Sequence, residues 1–591
     1  MNVATYLSRR WHALCQARQP WDRAWQEVAA HFLPTRRRLH DGRQPPLLNG
    51  NLVDATGVLA LRTLAAGLYG GMTSPARPWF RLECTDMDLG RDPDARRWLD
   101  AVTARMRVAL HRSNFYNALH TLYAELGAFG TAFMFALGDV EHGIRFVPLH
   151  IGEYALDVDD MGRVDTVFRR VRLSARQLLQ AFGPHALPGT IRRAATHPGP
   201  EATGGTNGAY TVIHAVLPRQ ELPRIPGASE ASGGMTGDVG DEEGCIARSP
   251  YASIYWLEGV SGNGGSGGIH ILRVSGFHSF PGFAPRWDCL NNDVYGRSPA
   301  MDALPDCRML QQMGITTLKA IHKAVDPPMS VSAGLKSVGI DLTPGGINYV
   351  ESAPGQSPQA ATPLLNLSPD IGQARKAIES VQEQVRAGMY NDLFRLIMDG
   401  RSGVTASEVA AREEEKLILV GPVLERLHDE LFRPLIERVF ALMRRLDMLP
   451  ATPPVLRGHP LRVDFVSLLA QAQKLVATAA VDTYLGFGAR AAACWPEALD
   501  AVDIDGAMEA YAEYLGLDAG LVRTPDARAQ LRAERAQRQA VAQGQAGITQ
   551  LAQVAKTLSE TRLSPDNALG ALGALGGEAV QGMAQTTDKH P

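Results

Sequence analysis

The stretch that most constrains this chain runs from Tyr295 to Asp447. It reads as a helix, an irregular insert, a second helix, a short polar loop and a long third helix. Ser298-Pro299 and Ser368-Pro369 predict the starts of the first two helices: serine caps a helix N-terminus, and proline fits the first turn, where no N–H is needed. In the second helix Ile371, Ala374, Ile378, Val381, Val385 and Met389 recur at steps of three and four, which predicts one apolar stripe. The insert, Asp326 to Leu367, is rich in Pro, Gly and Ser and holds short β-like pieces at Met329–Val331 and Ile347–Val350. After the second helix comes Asp399-Gly400-Arg401-Ser402-Gly403, too flexible and polar for a core. Thr405-Ala406-Ser407-Glu408 then predicts a capping box, with Val404 and Val409 placed as a hydrophobic staple. Pro422 and Pro434 predict kinks in the long helix, and Pro305 a break or restart in the first. Two helices with an excursion at one end and a polar loop at the other suit a structural device better than a catalytic pocket.

At 591 residues and 45% hydrophobic content the chain is globular and too long for one core, so two to four substructures are expected. The formal charge of −3 argues against a broad basic face that grips nucleic acid, but it allows a protein that DNA slides past. Six scattered cysteines without a CxxC pair favour reduced thiols in a cytoplasmic setting. No apolar run approaches the roughly 20 residues of a membrane span, and no signal-peptide h-region is visible, so a soluble protein is expected.

Along the remainder, a tryptophan-rich helix (Trp11, Trp21, Trp25) is expected from Met1 to His31, ending at Leu33-Pro34. A helix over 51–69 is expected to stop at Gly70-Gly71, and 72–80 to run extended. Asp92-Pro93 starts a further helix to Leu110, and Asn114 to Phe129 is another, with Gly130 as its C-cap. The period then changes to two: strands are expected at Thr131–Leu137, Ile144–Val147, Tyr154–Val158 and Val164–Leu173, the last pair around Asp159-Asp160-Met161-Gly162. A short helix follows from Ser174 to Phe182. Residues 184–250 read as loop, and strands resume at Tyr251–Leu257 and Ile269–Val274. Beyond Pro450 helices are expected at Val466–Thr483 and Ile504–Leu515, then an Ala/Gln/Arg-rich segment and a disordered end.

The search for chemistry returns little. There is no GxxxxGK[ST] phosphate loop and no HExxH. Gly264-Gly265-Ser266-Gly267-Gly268 matches GxSxG, but it lies between two strands, whereas a nucleophile elbow needs a strand-to-helix turn. Glu413-Glu414-Glu415 point in different directions on a helix, and Asp157, Asp159 and Asp160 sit at a hairpin turn, so neither group reads as a metal site. No catalytic residue, metal or cofactor is expected.

Five segments, in order, carry a resemblance: Trp21–Pro34, Ala65–Phe80, Tyr295-Gly296-Arg297-Ser298-Pro299 through Met313, Thr405–Val409 and Gly421–Phe440. Together they resemble the portal proteins, or head-to-tail connectors, of short-tailed, podovirus-type phages. The resemblance implies a mixed α+β, predominantly α fold assembled as a ring, usually of twelve copies, at a capsid vertex. It implies a wing over 1–297, a first stem helix over 298–325, a clip over 326–367 (with Ser332, Lys336 and Tyr349) and a second stem helix over 368–391. A tunnel loop over 392–404 would follow, with Asp399, Gly400, Arg401, Ser402 and Gly403 at the DNA channel. Thr405 and Glu408 would cap the next helix, 405–446, leading to a crown over 447–523 and a C-terminal helical segment and tail over 524–591. The stripe from Ile371 to Met389 would then make stem contacts between copies. Implied partners are double-stranded DNA, the terminase packaging motor, tail adaptor proteins, and the major capsid and scaffolding proteins, with no membrane. Assembly would take place in the host cytoplasm. The rival readings are a metal-dependent nuclease or hydrolase and an internal virion protein ejected with the genome.

Overall fold

Apolar residues at helical spacing along the first thirty positions build a helix that serves two cores. In the computed structural model α1 (Val3–Phe32) buries Val3, Leu7, Trp11 and Leu14 in one apolar cluster and Trp25, Val28, Ala29 and Phe32 in another. The structure describes residues 3–36, 52–86, 92–139, 143–196, 209–223, 249–259, 269–290, 293–332, 341, 343, 345–350, 362–363, 370–394, 420–465, 481–492, 495, 503–514, 523, 527–541 and 553. The chain divides into two units, Met1–Gln473 and Lys474–Pro591.

In the first unit, α2 (Thr56–Met72) does not stop at Gly70-Gly71 but runs through both. It ends at Thr73, whose N–H donates to the Tyr69 carbonyl at 3.2 Å and whose hydroxyl lies 3.1 Å from that of Tyr123. Buried side chains on the rest of the helix outweigh the modest helix cost of two glycines. The following segment is not uniformly extended either. The Arg77 N–H donates to the Ser74 carbonyl at 3.3 Å, closing a turn with Pro75 at its second position. Strand β1 (Phe80–Cys84) follows. Helix α3 (Pro93–Arg112) starts as expected, with the Asp92 carboxylate accepting from the N–H groups of Asp94 and Ala95. Helix α4 (Phe115–Phe129) ends at Gly130 in the left-handed region (φ 74°).

Strands β2 (Phe133–Asp139) and β3 (Gly143–Leu149) form an antiparallel pair. A five-stranded antiparallel sheet then takes β4 (Tyr154–Val158), β5 (Val164–Ser174), β6 (Ala209–Pro218), β7 (Tyr251–Leu257) and β8 (His270–Phe277) in chain order. Its central strand, β6, lies in the region read from sequence as loop. Its alternation is nonetheless regular: Ile213, Ala215 and Leu217 join the cluster containing Trp11, while Val212 and Val216 join the other two clusters. Helices α5 (Ala175–Phe182) and α6 (Gly189–Thr196) cover part of that second face through Leu178 and Ile191. Strand β9 (Gly282–Phe283) pairs with β2. The fold is therefore mixed α+β, as the sequence predicts.

Among the described residues the second unit has helical stretches at 481–492, 504–514 and 527–541. The Asp505 carboxylate accepts from Arg532 Nη2 at 2.7 Å and lies 3.6 Å from Arg528 Nη1, while the Tyr511 hydroxyl donates to Asp482 at 3.4 Å.

Candidate functional site

The strongest motif of the chain, Tyr295 to Pro299, is bolted into the first unit's core. Tyr295 is buried, packs against the rings of Trp21 and Trp25, and accepts the Leu156 N–H on its hydroxyl at 3.0 Å. Burial raises the Tyr295 pKa, so the phenol stays protonated and carries no charge into the core. Gly296 follows, donating its N–H to Thr131 Oγ1 at 2.7 Å. A side chain at Gly130 would come within 2.3 Å of the Gly296 carbonyl oxygen, so two backbones meet here at glycine distance. Ser298 Oγ accepts from the Met301 N–H at 3.0 Å and donates to the Ala128 carbonyl at 2.8 Å. The helix start is thereby tied to the last turn of α4.

From that anchor α7 (Pro299–Asp302) gives way at Ala303 to α8 (Leu304–Val325), with Pro305 in the first turn of the restarted helix. The insert carries β10 (Met329–Ser332), β11 (Ile347–Val350) and β12 (Thr362–Pro363) as a small sheet in the order β11-β10-β12. Ser332 closes β10, and Tyr349 pairs in register with Val331. Lys336 lies outside the described residues. The return helix, α9 (Ile371–Gly388), is capped by the Asp370 carboxylate, which accepts from the Gln373 N–H at 3.0 Å. Ser368 and Pro369, where the opening was expected, lie outside the described residues; the cap found is Asp370, two residues on, which offers the same kind of acceptor.

The stripe itself divides. Val381, Val385 and Met389 are buried in their own chain's core, in one cluster with Leu304, Cys307, Leu310, Leu64, Leu68 and Phe394. Val385 and Met389 are fully buried, so they have no surface left for another copy, and the expected contact is corrected for this half. Burial pushes the Cys307 thiol up to about 12, as befits a residue packed like a small hydrophobe. At Gly67 any side chain would collide with the Phe394 ring, which fixes how closely α2 approaches the helical turn that follows α9. Toward the insert the same stripe opens to water: Ala374 and Ile378 are half-buried, and Ile371 is 47% exposed.

A clasp that no sequence signal announces joins both helices to the start of α2. Gln311 Oε1 accepts the N–H groups of Val53 (2.8 Å) and Asp54 (3.1 Å), and Gln311 Nε2 donates to the Asp54 carbonyl at 2.7 Å. From α9, Gln382 Nε2 donates to Asp54 Oδ2 at 2.7 Å. A second unannounced device lies where a kink was expected near Pro434. The helical turn widens to a π-helix, His428–Phe432, before α10 (Arg433–Arg445) begins with Pro434 in its first turn. Within the π-turn the Glu430 carboxylate accepts from the Arg286 N–H at 2.8 Å and from Arg286 Nε at 3.0 Å. The same guanidinium donates to the Asp293 carbonyl at 3.1 Å and the Gly162 carbonyl at 2.8 Å, tying four segments together. After α10, β13 (Leu461–Phe465) pairs antiparallel with β1.

Asp399, Gly400, Arg401, Ser402 and Gly403, with Thr405 and Glu408, lie outside the described residues, as do all of residues 395–419, where the long helix was expected to begin, and most of the chain's end. Asp157 and Asp159 serve the hairpin: Asp159 Oδ1 accepts from the Met161 N–H (2.9 Å) and the Arg163 N–H (2.7 Å), and Asp157 pairs with Arg10. Among the described residues no group of three or more His, Cys, Asp or Glu could hold a metal ion, and no helix is long and apolar enough to cross a membrane.

Residues 4–522 match the model of the bacteriophage head to tail connecting protein family. The chain belongs to that family. It is 36% identical over 566 residues to the probable portal protein of Bordetella phage BPP-1, covering 95% of this chain and 96% of the relative. It is 34% identical over 572 residues to the portal protein of Salmonella phage epsilon15, covering 95% of this chain and 97% of that one.

Proposed function

We propose that the chain is a portal protein: a structural, non-enzymatic subunit of a closed ring at one capsid vertex, through which double-stranded DNA is packaged and later leaves. The observation that carries this reading is the full-length similarity to two phage portal proteins, with 95% of this chain aligned in each. The geometry supports it. Helices α8 and α9 act as the stem, rooted in the core at one end and free at the other. The small sheet between them is the clip, which docks the terminase motor and then the tail adaptors. The β-rich N-terminal region is the wing, and the segment after α10 leads to a crown. The tunnel loop, expected over 392–404, begins after the helical turn that buries Leu393 and Phe394 in the core, and its Arg401, repeated around about twelve copies, gives a circle of positive charge. Such a circle meets phosphates of either strand without reading sequence. A formal charge of −3 suits a conduit, because each phosphate neutralised adds affinity that would slow passage.

Complementation tests this reading. A phage lacking its own copy and supplied with this chain should fill its heads with DNA. Deleting residues 333–340 from the clip should leave the assembled particle intact and the heads empty. Full heads with that deletion would remove the clip assignment, and full heads without any copy of the chain would remove the portal reading.

A further inference from the structure

The helical layer on the five-stranded sheet carries charge of one sign. Helices α5 and α6 bury Leu178 and Ile191, and Leu187 between them, against Val212, Leu257 and Leu272 of the sheet. On the side away from the sheet Arg176, His185, Arg192 and Arg193 are exposed, together with Gln177 and Gln180. No Asp or Glu occurs from Thr166 to Pro200, in β6 or in β8. Glu258, just after β7, is turned to the opposite face, where it accepts from Arg170 at 3.4 Å and Arg170 lies over the Trp11 ring. The whole-chain charge of −3 averages over this basic face and conceals it.

The layer is held firmly. His270 Nε2 donates to the Ala186 carbonyl at 2.8 Å, and Arg273 Nη2 donates to the Ala181 carbonyl at 2.5 Å with its guanidinium over the Phe182 ring. Arg193 Nε donates to the Gly189 carbonyl at 3.3 Å, which lays this side chain along the first turn of α6. Donors held in place in this way lose little freedom when they meet a ligand.

The exposed apolar side chains nearby belong to another face. Ile271 and Val274 of β8 stand opposite Trp256 and Ile254, and so share the side of the sheet that packs on Trp11. The α5–α6 layer therefore lacks the apolar centre of a protein–protein interface. Arginine and amide donors without such a centre match a nucleic-acid interface, which is polar and positively charged. We propose that the exposed side of α5 and α6 binds the phosphate backbone of double-stranded DNA without sequence preference, at a site separate from the channel. The surface stands independently of the portal reading; only the source of its DNA, the packaged genome, rests on that reading.

Fluorescence anisotropy of the dilute full chain with a random duplex of about 20 base pairs, titrated across a salt series, tests it. The logarithm of the binding constant should fall linearly with the logarithm of salt concentration, because phosphate contacts release counterions. Arg176→Gln/Arg192→Gln/Arg193→Gln should reduce that slope by about 3 and weaken binding at low salt about ten-fold or more, with an unchanged thermal melt. A charge-matched variant at exposed positions of α3, Arg96→Gln/Arg97→Gln/Arg112→Gln, should bind as the parent does, and so should Arg401→Ala. Equal loss with the α3 variant would reduce the effect to net charge and overturn the proposal. Loss with Arg401→Ala alone would confine DNA to the channel and also overturn it, leaving the portal reading intact. Tighter binding of polyglutamate than of the duplex would assign the face to an acidic protein, again overturning it. The expected slope change in a chain that forms no ring would support this surface while contradicting the portal reading.

Discussion

The two ends of the α8–α9 pair carry the same kind of side chain and meet different fates. At the rooted end Leu304, Cys307 and Leu310 on α8, and Val381 and Val385 on α9 with Met389 at its C-cap, are all buried in one core. At the end toward the insert Leu318 is 46% exposed, Val325 80% and Ile371 47%. Helical periodicity runs through both ends without a break, so it predicts that a face will be covered and not by what. The rooted half is stabilised within one chain. The free half is where a neighbouring copy adds the missing surface, on the portal reading.

Substitutions can break this contrast. The largest effect is expected for Val385→Asp, which places an unpaired carboxylate in the rooted core. A loss of about 3–5 kcal/mol, read as a fall in Tm of the isolated subunit, should abolish assembly by preventing folding. Arg286→Ala should come next, at about 3 kcal/mol, because Glu430 then stays half-buried without its partner. Replacing both, as Arg286→Met/Glu430→Leu, should recover most of that loss in denaturant melts. Gln311→Leu removes three hydrogen bonds from the clasp at Asp54 and should cost about 1–2 kcal/mol.

A pH series separates the five-stranded sheet from the rooted end of the α8–α9 pair. His214 is fully buried, stacked on Tyr255, with Arg169 Nε donating to its Nδ1 at 3.0 Å. Burial first, then the charges of Arg169 and Arg273, hold its pKa well below the ordinary value. The unfolded chain therefore takes up this proton at about pH 6.5 and the folded chain only at lower pH. Stability should be flat above about pH 6.5 and fall below it by about 1.4 kcal/mol per unit until the folded form is protonated. His214→Gln should flatten that slope in acid melts. The smallest effect on the isolated subunit is expected at the free end: Ile371→Asp should change its stability by less than about 0.5 kcal/mol. It should nonetheless lower the yield of assembled particles. Unchanged assembly with Ile371→Asp would show that the free end is not a contact.

Much of this was legible where a single local cause decides the backbone. Asp92-Pro93, Ser174, Ser298-Pro299 and the left-handed Gly130 each set a helix boundary through one cap, and each boundary is found where it was expected. The turn at Asp159–Gly162 was equally readable, because the Asp159 side chain makes the turn's own hydrogen bonds. What failed depends on distant partners. Strand β6 is flanked by Gly- and Pro-rich sequence and becomes a strand only between β5 and β7. The β1–β13 pair joins segments far apart in the first unit's sequence, Phe80–Cys84 and Leu461–Phe465, for which no local signal exists. Gly70-Gly71 looked like a stop because helix propensity is local, while the packing that carries α2 through them is not. At the site, the capped start of α7 and the strand pieces of the insert were visible in sequence, whereas the clasp at Asp54 and the Arg286–Glu430 tie are chance-looking polar residues until the fold brings them together.

The mass of the purified, assembled full-length chain tests the central claim most directly. Native mass spectrometry should show one dominant closed species at an integer multiple of the 63.9 kDa subunit, near twelve copies, with no ladder of smaller and larger oligomers. A monomer at every concentration, or an open-ended ladder of masses, would contradict the ring and with it the account of why half of the α8–α9 pair is left exposed.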